Sequence, residues 1–490
     1  MQTLIDTLNA LIWSKALIGL CLGAGLYFSI RTRFMQVRGF GEMIRLMRAG
    51  SASEAGVSPF QALAMSLSGR VGIGNIAGVA TAIAYGGPGA VFWMWLVAFL
   101  GASTSFIECT LAQIYKERDE QGLYRGGPAY YIEKAMGQRW YAWTFAIATV
   151  LATGFLLPGV QANGIALSME AAWGVPPTVI AAGLVVVLGF IVFGGVRRIA
   201  RFAELVVPFM AAAYILVALV IMFLNVHRVP EVVTLIFRSA FGLEPAFGAV
   251  LGLAIEWGVK RGVYSNEAGQ GTGPHPAAAA EVSHPAKQGY VQAFSIYVDT
   301  LLVCSATAFM ILCTDLYNVI QPAGGFIREA LPGVAPGPGF AQAAVESTLP
   351  GYGAGFVALA ILFFAFTTIV AYYYMAETNL QYLNRQVRTP GMLLVLRLGI
   401  LATVTYGTVR SADTAWALGD IGVGLMAWLN LIAILILQRP ALAALRDYET
   451  QQRAGLDPVF DPEKLGIRHA AFWVERLRGR QALRETDSPR

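Results

Sequence analysis

The chain has 490 residues, of which 56% are apolar and only 13% charged, with a formal net charge of +5. Soluble globular domains carry about 25% charged residues, so this deficit excludes a water-soluble fold and requires lipid around the long apolar runs. The basic balance reads as the positive-inside bias of membrane proteins and not as a nucleic-acid footprint.

The N-terminus does not read as a cleavable signal. Asp6 precedes the first apolar run, no basic region leads into it, and Arg31 and Arg33 follow it as they would follow a retained span. Apolar stretches of about 20 residues then predict eleven spans. They lie near 12–30, 58–84, 88–115, 140–166, 177–195, 203–224, 246–262, 289–313, 353–380, 391–408 and 414–437. The basic residues alternate between connections. One set holds Arg31, Arg33, Arg38, Arg45 and Arg48, then Lys116, Arg118, Arg125, Lys134 and Arg139. It continues with Arg197, Arg198 and Arg201, then Lys260, Arg261 and Lys287, then Arg385 and Arg388, and ends in a basic tail. The opposite set holds Arg228, Arg238, Arg328 and Arg410. This alternation puts the N-terminus outside and the C-terminus in the cytoplasm.

The expected organisation is an N-terminal membrane helix with a cytoplasmic amphipathic segment (1–57), a ten-helix core (58–438) and a basic cytoplasmic tail (439–490). The tail, with one apolar cluster around Ala471–Val474, is expected on or near the headgroups and forms no catalytic domain. The loop 314–352, rich in Pro and Gly, is either a plain outer connector or a set of short helices capping a vestibule.

Two segments carry backbone that should not stay helical. The first, Ser66–Asn75, holds Gly69, Gly72 and Gly74, and each glycine costs a helix about 1 kcal/mol. The second, Ile255–Gly262, closes the seventh span and runs into Ser265–Gly271. Unwound backbone at membrane depth is tolerated only inside protein or along a cavity. Breaks at matching places in two halves point to a transporter's binding site. These two would open the first and sixth helices of the core, as two inverted five-helix repeats require. Free N–H groups at such a break attract a carboxylate, and free carbonyls attract an ammonium group or Na⁺. Close helix packing is the alternative for any single glycine.

At these residues the chain resembles the alanine/glycine:cation symporters. The resemblance is carried by Gly72–Ala80 (GIGNIAGVA), Gly86–Trp95, Tyr124–Tyr130 (YRGGPAY), Gly159–Asn163 and Gly262–Gly269 (GVYSNEAG). His284–Gly289, Asp299–Cys304 and Tyr372–Asn379 extend it, so that it covers roughly residues 10–440. It implies a leucine-transporter-type core preceded by one helix, in a bacterial cytoplasmic (inner) membrane. It also implies uptake of alanine or glycine driven by Na⁺, with H⁺ in some members. Arg70 departs from the pattern, since many members have a small residue there.

Candidate site residues follow from the breaks and the resemblance. Val71, Gly72, Gly74 and Asn75 are expected to meet the substrate carboxylate and the cation, with Asn75 holding the break open or coordinating. Gln161, near Asn163, is a substrate contact by resemblance or a bond to a neighbouring helix, because buried amides need partners. Ile255, Trp257 and Gly258 are expected to wall a pocket with room for a methyl group, Trp257 being otherwise an interface anchor. Thr367 and Thr368 are expected as Na⁺ ligands, with back-bonding to their own helix as the alternative. Charges inside spans are expensive and usually functional. Arg70, Glu108, Glu256, Asp299 and Arg397 are such charges. Arg70 and Glu256 are gate candidates that would pair across the breaks, unless Glu256 carries a coupled proton.

The four cysteines lack metal-ligand spacing, the four histidines are scattered, and no phosphate-loop pattern exists. No catalytic residues, ATP-driven step or cofactor are therefore expected beyond Na⁺ as coupling ion. An integral membrane enzyme would need convergent acids, bases or ligands at one level, and a channel would repeat a pore segment by symmetry. The expected partners are alanine or glycine, Na⁺ or H⁺, and membrane lipid, with no nucleic acid and no obligatory protein partner. The expected function is Na⁺-coupled symport by alternating access, the alternative being an H⁺-coupled transporter of another small neutral amino acid.

Overall fold

The structure, a computed structural model, describes residues 2–48, 56–120, 122–194, 196–387 and 389–486. α1 (Gln2–Ile12) and α2 (Lys15–Arg31) form the first apolar crossing, and α3 (Met35–Arg38) and α4 (Phe40–Arg48) follow it. α5 (Pro59–Arg70), a short turn at Ile73–Asn75 and α6 (Ala77–Gly86) form the second. Ser58 and Gln61 close a capping box at the start of α5, each side chain accepting the other's backbone N–H at 3.1 and 3.0 Å. α7 (Gly89–Ile114) returns to a small hairpin of β1 (Glu117–Arg118) and β2 (Tyr124–Arg125), then α8 (Pro128–Tyr131). α9 (Arg139–Leu151) continues through a wide turn into α10 (Leu157–Trp173), and α11 (Pro177–Val192) and α12 (Val196–Leu224) complete the first half.

The second half opens with α13 (Val229–Ala240) and α14 (Leu251–Asn266), bent by 48°, and α15 (Pro274–Ala279). α16 (Pro285–Ile296) runs through a wide turn at Tyr297–Cys304 into α17 (Ser305–Thr314). The loop 314–352 holds the antiparallel pair β3 (Asn318–Ile320) and β4 (Phe326–Glu329) and then α18 (Pro338–Thr348), so it is more than a connector. α19 (Gly353–Val387), α20 (Met392–Thr408), α21 (Ala412–Arg453) and α22 (Ala471–Thr486) end the chain. Seven helices are long and apolar enough to cross a membrane, one bent pair adds an eighth, and α6, α11 and α20 are shorter apolar helices. These make eleven apolar segments, close to the expected positions.

The connections predicted to share a face do meet. Arg38 pairs with Glu449, Arg385 with Glu117 and Glu133, and Lys287 with Asp457. Arg228 and Arg328 pair with Asp315 at the other end. Arg388 lies outside the described residues, as do the side chains of Arg48 and Arg197. Lys260 and Arg261, expected on the tail-bearing face, instead sit inside α14, against Asn9 of α1 and Asp420 of α21, because that helix continues past them to Asn266.

The two broken elements lie side by side and antiparallel. Val57 N–H donates to the Ala279 carbonyl at one end, and Gly86 abuts Ala254 at the other. Gly74 faces Tyr264 and Ser265 between them. The second break is not at Ile255–Gly262, where α14 is continuous, but at Glu267–Gly273. The glycines that suggested otherwise serve packing: a Cβ on Gly258 would lie 2.5 Å from Trp93 Cβ, and one on Gly262 2.4 Å from Val97.

The tail also departs from its expected place against headgroups. Trp473 is 2% exposed, and its Nε1 donates to the Gln113 carbonyl at 2.8 Å. Lys116 donates to the Ala280 carbonyl at 2.7 Å while lying 4.5–5.4 Å from the rings of Tyr124, Phe472 and Trp473. The apolar cluster of the tail is thus buried against the ends of α7 and α15, where it leaves water more completely than it would at a membrane surface.

Candidate functional site

α5 ends where three elements converge on its glycines. A Cβ on Gly72 would lie 2.5 Å from Thr368 Oγ1 and 2.9 Å from Gln161 Oε1, so only glycine brings the backbone this close. A Cβ on Gly74 would meet the Tyr264 ring at 3.1 Å. The backbone groups released by the break are taken up by side chains. Gly72 N–H donates to Asn75 Oδ1 at 2.8 Å, and Ile73 N–H donates to Gln161 Oε1 at 3.0 Å. Asn75 and Gln161 are both buried and hold the break open. Asn163 instead donates to the Gly407 and Arg410 carbonyls at the end of α20, a helix-to-helix bond.

Two clusters of oxygens flank the break. On one side the Thr368 hydroxyl of α19 lies 2.9 Å from the Ser68 carbonyl, 3.4 Å from the Val71 carbonyl and 2.9 Å from the Phe364 carbonyl of its own helix, the back-bond also open to it. Unwound carbonyls with a hydroxyl are the donor set that a monovalent cation takes at such breaks. Thr367 does not join them. Its hydroxyl donates to Phe364 at 2.9 Å and faces Met210 Sδ of α12 at 3.9 Å, since successive helical residues point about 100° apart.

On the other side Asp299 is fully buried in the wide turn after α16. Asn75 Nδ2 donates to its Oδ1 at 2.6 Å, the Ser265 hydroxyl lies 3.1 and 3.0 Å from its two oxygens, and Thr300 donates to Oδ2 at 2.7 Å. This carboxylate joins both breaks, since Asn75 belongs to the first and Ser265 to the α14 end of the second. In the sequence it stood out as a charge within a span and as the first residue of the Asp299–Cys304 motif.

The second break is held by a carboxylate. Glu267, Gly269 and Gly271 have φ of 58°, 81° and 84°. Glu108 of α7 accepts the Gly269 and Gly271 N–H groups at 3.2 Å each, and Asn430 of α21 donates to it at 2.7 Å. Glu108 thereby stands in for helical carbonyls that the break removes. The Glu267 carboxylate is 1% exposed, with the Thr272 and Tyr372 hydroxyls and the Arg70 guanidinium as its polar neighbours.

Arg70 does not pair with Glu256. It donates to Gln292 and Ser105 at 3.3 and 3.2 Å and to Ser295. Glu256 lies ten residues before the end of α14, about 15 Å along the helix from the break. Ile255, Trp257 and Gly258 share that distant half. Trp257 stacks on Tyr85 of α6 with ring centroids 4.5 Å apart. The ion pair found here joins other residues: Asp420 of α21 accepts from Arg261 at 2.8 and 3.2 Å, and Lys260 lies 2.8 Å from it. The Arg261 guanidinium lies 4.4 Å over the Trp416 ring and 5.1 Å over that of Trp257. Toward the tail, buried Arg125 bridges Asp119 and Glu377 at 3.0 and 3.3 Å. Buried ion pairs therefore lie on both sides of the breaks. Arg397 bonds the Tyr373 hydroxyl at 3.0 Å on the flank of α19.

Eleven apolar segments around two facing helix breaks, with buried ion pairs on either side, fit a polytopic membrane transporter. A sequence profile of the sodium:alanine symporter family matches residues 1–462, and the chain belongs to that family. It is 56% identical to the sodium/proton-dependent alanine carrier protein of Bacillus sp. (strain PS3), over 88% of this chain and 97% of that one. It is 62% identical to YrbD of Bacillus subtilis (strain 168), provisionally named a sodium/proton-dependent alanine carrier, over 96% of this chain and 98% of that one. A solved Na⁺-coupled sialic acid symporter, in a substrate-bound outward-open state, aligns with a TM-score of 0.49 at 12% identity, covering 95% of this chain and 96% of that one.

Proposed function

We propose that this protein couples uptake of a small neutral amino acid, alanine or glycine, to Na⁺ by alternating access, with no further cofactor. The observation that carries this reading is the convergence of Thr368 Oγ1 and the Ser68 and Val71 carbonyls on the Gly72 break. Na⁺ would sit among these oxygens. The substrate carboxylate would take the backbone N–H groups of Gly72 to Gly74 in place of Asn75 and Gln161, which satisfy them here. A glycine backbone facing Tyr264 leaves room for a small side chain only. Trp257 and the Arg261–Asp420 pair would form the lid on one side, and Arg125 with Glu377 the seal on the other.

The positive-inside rule makes the tail-bearing face cytoplasmic, and the Bacillus relatives fit a bacterial cytoplasmic membrane. A second reading, H⁺ coupling, is favoured by one observation: the burial of the Glu267 carboxylate at the second break. Such a group is held more cheaply as the neutral acid than as the anion.

The test is thermal unfolding in detergent. A ligand at a hundred times its dissociation constant stabilises by about 2.7 kcal/mol. Alanine or glycine should raise the midpoint in Na⁺ and fail to do so in K⁺ at the same pH. A rise with neither amino acid under any cation or pH would refute the substrate assignment.

A further inference from the structure

A cavity of about 270 Å³ opens on the tail-bearing face, between the end of α2 and the extension of α21. Five arginines line it, Arg31, Arg33, Arg38, Arg446 and Arg453, against a single acid, Glu449. Glu449 is already taken: it lies 2.5 Å from Arg38 and 3.8 Å from Arg453. Arg31 donates to the Tyr27 hydroxyl at 2.8 Å. The side chains of Arg33 and Arg446 have no hydrogen-bond or ion-pair partner among the described residues. The arginines gather because the chain turns sharply after α2. Arg33 and Phe34 both adopt positive φ, 55° and 53°, and Arg38 ties the turn by donating to the Thr32 and Arg33 carbonyls at 2.8 and 3.0 Å. Non-glycine residues rarely hold this conformation.

So many like charges repel one another unless an anion joins them. Guanidinium groups match phosphate oxygens in pairs. The surroundings are those of a lipid. On the two helices that form the cavity, Leu26, Ile30 and Ile436 are 48%, 57% and 58% exposed, apolar side chains available to acyl chains. Basic pockets between membrane helices at headgroup level recognise anionic lipids by this combination. We propose that this cavity binds the phosphate headgroup of an anionic membrane phospholipid, with Arg33 and Arg446 as its free ligands. The site is separate from the helix breaks and does not depend on which amino acid or cation is carried.

The test uses the full chain, purified in neutral detergent, with its unfolding midpoint titrated against phosphatidylglycerol, phosphatidylcholine or inorganic phosphate. Phosphatidylglycerol should raise the midpoint, and the other two should not at matched concentration. The double variant Arg33→Gln/Arg446→Gln should need about 30-fold more phosphatidylglycerol, from about 5-fold per arginine removed at headgroup level. Arg410→Gln, on the opposite face, should respond as the parent does. An unfolding midpoint within the parent's range without lipid establishes that the double variant is folded. If it is lowered, each single variant is titrated instead, with about a 5-fold shift expected. An unchanged phosphatidylglycerol response in the variants overturns the proposal. So does an equal response to phosphatidylcholine, and an equal response to inorganic phosphate would reassign the cavity to a free anion.

Discussion

The Thr368 hydroxyl donates to the Ser68 carbonyl at 2.9 Å, joining residues 300 positions apart across the first helix break. This contact ties α19 to the unwound end of α5, and the same hydroxyl also lies near the Val71 and Phe364 carbonyls. Its neighbour Thr367 points to α12 instead. Under the proposed function the two threonines differ, one lying beside the cation and one packing against a neighbouring helix.

Thr368→Val should raise the Na⁺ concentration needed for half-maximal alanine uptake by about 10- to 100-fold, the equivalent of losing a hydrogen-bond acceptor to a charged group at about 1.5–3 kcal/mol. Thr367→Val should change it by less than about 3-fold, since it exposes no buried polar partner. Initial rates in proteoliposomes against Na⁺ measure both, and equal effects of the two would contradict the assignment.

Gly72→Ala places a methyl group 2.5 Å from Thr368 Oγ1 and 2.9 Å from Gln161 Oε1. Such overpacking costs about 1–3 kcal/mol, and here it also pushes apart the elements that form the break. The variant should fold, with a lowered midpoint, and lose alanine-dependent stabilisation. A Gly23→Ala control, with nothing within 4 Å of the new carbon, should keep it.

Glu267→Gln separates the two coupling readings. Under Na⁺ coupling the neutral amide should leave Na⁺-driven uptake within about 3-fold, with a midpoint equal to or above the parent's, because burying a carboxylate is costly. Under H⁺ coupling the same change should remove uptake driven by a pH gradient. Parallel assays under each gradient distinguish them.

Asp420→Asn leaves Arg261 and Lys260 without their acid. Breaking a buried ion pair from one side costs about 3–5 kcal/mol, so the lid should loosen. Gly78 lies just beneath it, where an added Cβ would be 3.8 Å from Arg261 and 3.9 Å from Trp416. A cysteine introduced at Gly78 should react slowly with an impermeant thiol reagent in the parent and at least about 10-fold faster with Asp420→Asn, a change of about 1.4 kcal/mol in lid opening. The same labelling rate in both would show that the pair is no lid.

Much of this arrangement was legible in the sequence. The eleven spans followed from apolar runs, and most of the basic connections expected to share a face do meet, Lys260 and Arg261 excepted. The first break was readable because Gly69, Gly72 and Gly74 fall together in an apolar run beside Asn75. The second was placed too early. Gly258 and Gly262 resemble break glycines in sequence, yet they face Trp93 and Val97 across a helix contact. The true break holds Gly269 and Gly271, whose positive φ no local pattern distinguishes. Tertiary pairings were the least legible. Arg70 and Glu256 seemed natural partners because both stand near expected breaks, but the shift of the second break separates them. Asp420 lies about 160 residues beyond its partners, and spacing alone cannot connect them. The docking of Trp473 was hidden for a similar reason, because an aromatic in a basic tail suits a membrane surface as well as a protein groove.

The most direct measurement is uptake of labelled alanine into proteoliposomes, under an inward Na⁺ gradient against an equal K⁺ gradient at fixed pH. Accumulation with Na⁺ alone, strongly reduced by Thr368→Val at low Na⁺ and little changed by Thr367→Val, is the predicted result. Failure to accumulate alanine or glycine under Na⁺, K⁺ or pH gradients, by protein that is folded and inserted, would contradict it.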